Sequence, residues 1–342
     1  MKRLLVLLGV AGVSLSAVFV RWSTAPSLVL ALYRMALSAA LLVPWTFLHH
    51  RAELRTISRR EWLLCLISGA FLGLHFAAYF ESLRWTSIAS SVVLVDTEVL
   101  FVALGSVLLL RKKLPGRAWL AVALALGGSV VIAMADTAAG PGALRGDVIA
   151  LSGALCMAVY TMIGAVCRRR LSTTVYTCLV YTAATVTLLI ITLAGGTPLT
   201  GYGAVNGLTA LGMAVFCTLL GHSVFSWGLK YMPPAFISTV KLMEPVFASV
   251  WGLVLFAERP GLPTILGGAV IICGIALYSR TEETACWDSS DFPMWACCFC
   301  WLCLSPTCYG PRISQRVTNP LEKIASCWPL SGWGRCGSPA RP

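Results

Sequence analysis

The sequence predicts an all-α polytopic membrane protein, with about ten transmembrane helices arranged as two inverted five-helix repeats. Three observations carry that prediction. Of 342 residues, 58% are hydrophobic and only 12% charged, with a mean hydropathy of +0.81. A water-soluble domain carries about a quarter charged residues to face solvent, whereas lipid solvates apolar side chains directly, so the composition is that of a membrane protein. The apolar residues also come in long runs separated by short polar linkers, and the positive charges fall on alternate linkers.

The runs are 4–20, 27–48, 62–82, 87–110, 118–135, 147–166, 174–194, 204–228, 235–257 and 262–279. A helix needs about 20 apolar residues to cross the hydrocarbon core, and backbone polar groups must be satisfied internally there, which favours helices over open sheets. Linkers such as Gly140-Pro141-Gly142, Gly195-Gly196-Thr197-Pro198 and Arg259-Pro260-Gly261 read as breaks. Lys2 and Arg3 ahead of the first run resemble the start of a signal peptide. No small-residue cleavage site follows and Arg21-Trp22 closes the run, so it is read as an uncleaved first span.

Ten spans can be tested with charge. With the N-terminus inside, the inner loops and ends up to Arg280 carry fifteen Lys and Arg; the outer loops carry four, Arg21, Arg84, Arg145 and Arg259. This matches the positive-inside rule and places the chain, multi-pass with a cytoplasmic N-terminus, in a cell inner or plasma membrane. The net charge of +12 sits in short clusters between spans, such as Arg111, Lys112, Lys113 and Arg168, Arg169, Arg170. That placement sets topology and argues against nucleic-acid binding.

A shift of 146 residues aligns the chain with itself. Leu83 meets Leu229, Ala89 meets Ala235, Glu98 meets Glu244, Phe101 meets Phe247, and the match runs on to Gly128 with Gly274. Aligned intramembrane glutamates are more informative than aligned apolar residues. Five spans separate the copies, and five is odd, so the second copy runs upside down. Inverted repeats around a midplane site are a common transporter design. The expected division is residues 1–141, residues 142–280 and a tail, 281–342. The tail holds eight of the fourteen cysteines and five of the twelve tryptophans. Its Cys297-Cys298-Phe299-Cys300-Trp301-Leu302-Cys303 run admits a metal site or a lipidated patch. The spacing matches no paired CxxC set and no histidine is near, so the tail is read as a disordered appendage outside transport, of a kind a shifted reading frame would give.

Ionisable residues inside spans cost on the order of 3 kcal/mol at the bilayer centre and need a partner or a wet cavity. Glu244 sits mid-span before Pro245, which removes a backbone donor and loosens the helix. A carboxyl group in low dielectric is a candidate for proton exchange during a transport cycle; the alternative is a structural ion pair with Lys241, at i−3. Glu98 is its repeat mate, with a helix-packing hydrogen bond as its alternative. Asp96, two residues before Glu98, points to another face of a continuous helix, so it is expected to stay out of any narrow cavity that Glu98 faces and to pair with Arg34. Arg34 and Lys241 either bind an anionic group or hold the glutamates ionised. His75 and His222 occupy similar places in the two halves, as proton relays or as hydrogen-bonded packing residues. Glu81 reads as solvated near the outer face. Tyr33, Tyr79, Trp227 and Trp251 line a cavity or form interfacial belts. Gly69, Gly73, Gly127, Gly128, Gly267 and Gly268 read as close helix contacts. No His-Glu-x-x-His, Walker lysine loop or Gly-x-Ser-x-Gly elbow occurs, which argues against an enzyme and against ATP-driven pumping by this chain alone.

The stretch GLHFAAYFESLRWTSIASSVVLVDTEVLFVALGSVLLLRKK resembles the third and fourth helices of the EamA family of the drug/metabolite transporter superfamily. LLGHSVFSWGLKYMPPAFISTVKLMEPVFASVWGLVLFAERP, with GGAVIICGIALY after it, resembles the same part of the family's second repeat, and ALYRMALSAALL its second helix, with Arg34 at the characteristic arginine. The likeness covers about residues 4–280. It implies ten helices, two inverted repeats, cytoplasmic ends and secondary transport, usually export of small metabolites, amino acids or drugs. Glu244, Pro245, Glu258 and Gly274 match the second-repeat motif; Val99 stands where the first repeat usually has proline, and Lys112 where it has a loop glutamate.

Together these readings predict a secondary transporter that exports a small molecule through alternating access, with proton coupling as a hypothesis. Glu98, Glu244, Lys241 and Arg34 are expected around the cavity, with Asp96, His75 and His222 behind them. No cofactor and no nucleic acid are expected. The partners are a small-molecule substrate, the bilayer and protons, with a homodimer left open. The alternatives are a facilitative uniporter on the same fold, and a non-transporting membrane enzyme or assembly partner.

Overall fold

The computed structural model describes residues 2–85, 88–109, 113–134, 143–257, 259 and 261–288. Arg111, Lys112, Gly140-Pro141-Gly142, Glu258, Pro260 and the cysteine-rich run of the tail lie outside the described residues. All regular structure among the described residues is helical, in this order: α1 Lys2–Trp22, α2 Ser27–His49, α3 Arg51–Thr56, α4 Arg59–Ser82, α5 Ile88–Asp96, α6 Glu98–Leu108, α7 Gly116–Ala133, α8 Ala143–Cys167, α9 Thr173–Ala194 and α10 Ala204–Gly212. A π-helix, Met213–His222, follows, then α11 Ser223–Gly228, α12 Pro234–Lys241, α13 Glu244–Phe256 and α14 Leu262–Asp288.

Nine described segments are long and apolar enough to cross a membrane, and Gly116–Ile132 is a shorter apolar helix. These are the ten runs read from the sequence. Three of them are interrupted: α5 and α6 share one span, α12 and α13 another, and the π-helix joins α10 to α11 in a third. The spans end where the sequence supplies caps. Ser58 and Glu61 form a reciprocal capping box at the start of α4, and the Ser172 hydroxyl accepts from the Val175 amide at the start of α9. Large apolar side chains face outward along the spans, among them Leu48, Leu108, Ile190, Leu208, Val254 and Leu266. Such a surface is a liability in water and the solvated face in lipid.

Helix packing obeys the pseudo-two-fold relation that the 146-residue shift implies. The third span of each repeat packs on the first two of the other: α4 on α8 and α9, and the π-helix on α1 and α2. The fourth packs on the first, α6 on α8 and α13 on α1, while α2 meets α9 and α6 meets α12. The fifth spans touch through glycine. A methyl group on Gly128 would lie 2.6 Å from the Gly267 carbonyl oxygen, and one on Gly274 would lie 2.8 Å from that of Ala121. The shift converts one contact into the other. Gly69 is as tight against α9, its added methyl 2.4 Å from the Val180 carbonyl oxygen, whereas Gly127 meets nothing and is not a contact. Gly128→Val is expected to lower stability by about 2 kcal/mol, read as a fall in Tm in detergent; an unchanged Tm would remove the α7–α14 contact from the account.

Two residues of the basic cluster at 168–170 have separated roles. Arg168 is buried; its Nε donates to the Ser226 carbonyl at 2.8 Å and its other nitrogens to Leu171 and Thr173. Arg170 is exposed and pairs with Glu61 at 3.2 Å. Arg168 therefore ties the α8–α9 turn to α11 as well as marking a loop.

Candidate functional site

The site forms where two helices break. In the first repeat α5 ends at Asp96 and α6 begins at Glu98, with Thr97 between them donating its hydroxyl to the Leu94 carbonyl. A threonine that bonds its own preceding turn competes with the helix ladder. In the second repeat Leu242 and Met243 separate α12 from α13, whose first turn holds Glu244 and Pro245. Proline fits there because first-turn amides lack helical partners anyway. The first repeat breaks without it: Val99 stands at the equivalent position. Interrupted backbone at membrane depth is tolerated where it lines a cavity.

A cavity of about 760 Å3 lies against both breaks, lined by residues that include Arg34, His75, Asp96, Glu98, His222, Lys241 and Glu244. All seven residues singled out from the sequence therefore meet it. Two expectations change. Asp96 and Glu98 both line the cavity, because the break at Thr97 removes the continuous helix that would have pointed them apart. His75 and His222 line it too, rather than standing behind it.

The ion pairing also differs from expectation. Lys241 Nζ donates to Glu98 Oε1 at 2.8 Å, joining the two breaks across the repeats, and does not pair with Glu244 at i−3. The first-repeat equivalent of Lys241 is Val95, which has no charge to offer Glu244. The repeat mates are thus unequal: Glu98 holds a direct ion pair, while Glu244 has Arg34 and Lys241 as electrostatic neighbours without a direct ion pair to either. Arg34 does not pair with Asp96. Its Nε donates to Thr218 Oγ1 of the π-helix at 2.7 Å, and its guanidinium carbon lies 4.9 Å from the centre of the Phe76 ring.

His75 Nδ1 donates to the Gly153 carbonyl at 3.0 Å, which fixes its ring against α8. His222 packs against the Phe76 and Phe225 rings, at centroid distances of 5.7 and 6.0 Å, and its Nδ1 has no hydrogen-bond partner. Tyr79, Phe80 and Met157 complete apolar stretches of the wall. Of the other aromatics, Tyr33 bonds the Leu199 carbonyl, Trp251 donates to Ser14 at 2.9 Å and Trp227 packs on Tyr231. Glu81 is solvated, with Arg84 at 3.1 Å.

Among the described residues, the buried side-chain polar atoms without a hydrogen-bond partner concentrate here. Arg34 Nη2, Asp96 Oδ2, Glu98 Oε2, Ser129 Oγ, His222 Nδ1 and Ser238 Oγ all belong to cavity-lining residues; Thr161 Oγ1 is the one elsewhere. Buried polar groups are normally satisfied, so this is a surface built to meet water or a polar solute. Ser129, Ser238 and Thr218 were missed in the sequence. Single small hydroxyls in apolar runs are common and carry no periodic signal. The π-helix that presents Thr218 and His222 left no trace in composition either, although such segments often occur at functional sites.

The cavity reaches one end of the bundle, where its wall includes Arg21, Leu83, Val92, Ile132 and Thr264. Toward the other end lies the Glu98–Lys241 pair, and Val6, Val10, Val102, Phe236 and Ile237 are buried together there. Inverted repeats, paired helix breaks and, between them, a largely apolar cavity that carries a few charged side chains define a membrane transporter.

The chain belongs to the EamA-like transporter family, which it matches over residues 2–134 and again over 144–280. It is 25% identical over 259 residues to an uncharacterized transporter of Archaeoglobus fulgidus, covering 74% of this chain and 88% of that one. It is 24% identical over 269 residues to the pseudopaline exporter CntI of Pseudomonas aeruginosa, covering 76% and 89%. A solved crystal structure superposes with a TM-score of 0.69 at 15% identity, over 82% of this chain and 97% of that one, a likeness of fold.

Proposed function

We propose that the protein is a secondary active exporter of a small metabolite, amino acid or drug-like molecule, working by alternating access and coupled to protons. The observation that carries this reading is the cavity between the two helix breaks, walled by unpartnered polar groups and sealed toward one end. The basic loops support an N-terminus on the cytoplasmic side of an inner or plasma membrane. The cavity then opens to the outside, and the Glu98–Lys241 pair closes the cytoplasmic side. Rocking of the repeats would part that pair and admit solute from inside. Kinship with an exporter supports the direction.

Coupling rests on Glu244, Glu98 and Asp96, three carboxyl groups on one cavity with Lys241 committed to Glu98. The test compares medium metabolites from cells expressing the full chain or the double variant Glu98→Gln, Glu244→Gln. A metabolite that rises outside with the wild type, falls when a protonophore collapses the pH gradient, and does not rise with the variant present in the membrane at the wild-type level supports proton-coupled export. Export that survives both substitutions with unchanged pH dependence contradicts the coupling.

A further inference from the structure

The third spans of the two repeats differ in kind. α4 is α-helical throughout Arg59–Ser82, whereas its counterpart widens into the π-helix over Met213–His222. Such turns are rare and are frequent at functional sites. What this one holds is Arg34. Arg34 Nε donates to Thr218 Oγ1 at 2.7 Å, and the two residues are 3% and 0% exposed. Thr218 is itself fixed. Its hydroxyl donates to the Met213 carbonyl, five residues earlier, at 3.4 Å. Its carbonyl lies 3.4 Å from the Tyr181 hydroxyl of α9 and 3.3 Å from that of Ser223, and those two hydroxyls are 3.0 Å apart. On α2 the Ser38 hydroxyl donates to the Arg34 carbonyl at 2.8 Å. The guanidinium is thereby anchored by its inner nitrogen, while Nη2 has no partner.

Glu244 is the acid that this cation could neutralise. Both line the cavity, and each acts on the other electrostatically. No direct ion pair joins them, and Lys241 is committed to Glu98 at 2.8 Å. A guanidinium and a carboxylate with free ends favour a charge-assisted, often bidentate pair. Here one nitrogen of the fork is spent on Thr218 instead.

We propose that Thr218 is a positioning residue: by holding Arg34 Nε it keeps the guanidinium from closing onto Glu244, and so leaves Glu244 able to take up and release a proton. The inference rests on the coupling reading for its physiological sense. Its first test needs no solute, so the two can fail separately. The other ionisable groups that act on Glu244 are Lys241, Glu98, Asp96, Tyr79 and Cys217. α1, packed on α13, carries charge only at its ends, at Lys2, Arg3 and Arg21. Substitution of Thr218 changes none of these groups. A role limited to satisfying a buried donor would lower stability and leave the titration of Glu244 alone.

The probe is the proton. Infrared spectra of the full chain in lipid are recorded against pH, and the protonated-carboxyl band that is lost in Glu244→Gln is assigned to Glu244. Removal of the Thr218 hydroxyl frees the guanidinium to pair with the carboxylate, and an opposite charge close by favours the charged form. The pH of half-protonation in Thr218→Val should therefore fall by about one unit or more from that of the wild type. Thr218→Ser keeps the oxygen and should titrate like the wild type. In an Arg34→Gln background Thr218→Val should have no effect. If Thr218→Val is not recovered as monodisperse protein, Thr218→Ala puts the same question with room left for water beside Nε. A midpoint unchanged from wild type in the folded variant, an equal shift in the Arg34→Gln background, or no Glu244-dependent band at any pH would overturn the assignment. The infrared shift with an unmoved pH profile for export keeps the restraint and removes Glu244 from the coupling. Both moving together supports both.

Discussion

Lys241→Met is expected to unfold the protein at a markedly lower temperature, while Lys241→Met combined with Glu98→Gln recovers most of the loss. The ammonium and Glu98 Oε1 are 2.8 Å apart, with side-chain exposures of 12% and 6%. Removing one member of such a pair strands the other charge, at a cost of about 3–5 kcal/mol. Removing both replaces an ion pair by groups of similar volume, which is often close to neutral. The double-mutant cycle should therefore give a coupling of about 2 kcal/mol or more. The other partners of Lys241 are weaker: its ammonium stands 5.6 Å from the Phe225 ring centre. Strictly additive single losses would mean that the pair does not hold the two breaks together. The pair has a second consequence. It joins α12 to α6 across the repeat boundary on the closed side of the cavity, so the double variant should bind solute from the open side yet cycle slowly.

The second large effect is a plug. Ala248 on α13 lines the cavity and is small. A tryptophan there adds an indole to the solute's space without removing any charged group. Flux through the cavity should fall about a hundredfold or more, since passage needs the whole solute to fit, while the fold, built on helix contacts elsewhere, is retained. Overpacking a partly solvated wall costs less than overpacking a core, where it runs to about 1–3 kcal/mol. Loss of stability and loss of flux are thereby separable, which is not true of the charged residues.

The architecture was legible because lipid imposes a strict rule on sequence. Each span must be a long apolar helix, and the alternation of charge then numbers the spans. The repeat was legible because Glu98 and Glu244 are costly in a membrane and recur at one shift. The site was legible for the same reason: all seven intramembrane residues proposed from the sequence line one cavity. Their pairing was not. Periodicity assumes a continuous helix, and it placed Asp96 away from Glu98 and Lys241 beside Glu244. The helices are interrupted at Thr97 and at Leu242–Met243, where that assumption does not hold. Pro245 signalled the second interruption, but Thr97 was the only residue marking the first, and threonine is ordinary in membrane helices. Ser129 and Ser238 were invisible because a hydroxyl bonded to its own helix and one on a cavity wall look identical in sequence; Thr218 was invisible because nothing in the sequence marks it as the acceptor for Arg34. Ser106 and Thr239 are of the first kind, donating to carbonyls four residues earlier.

The asymmetry between the repeats is the least expected feature. A strict two-fold would give Glu244 a lysine where Val95 stands. Its absence leaves Glu98 in a direct ion pair and Glu244 with Arg34 and Lys241 only as electrostatic neighbours, so the two positions are free to serve different roles in a carrier. The helix contacts are symmetric while the charges are not, so mechanics and chemistry have diverged on the same frame.

The central claim is that solute passes through the cavity between the helix breaks. The measurement that tests it most directly is counterflow in proteoliposomes, comparing wild type with Ala248→Trp at matched incorporation and matched Tm, for a metabolite that the medium comparison has identified. Flux that falls to the level of empty liposomes, with Tm unchanged, is the predicted result. Flux within twofold of wild type through a folded Ala248→Trp protein would place the pathway elsewhere and contradict the account.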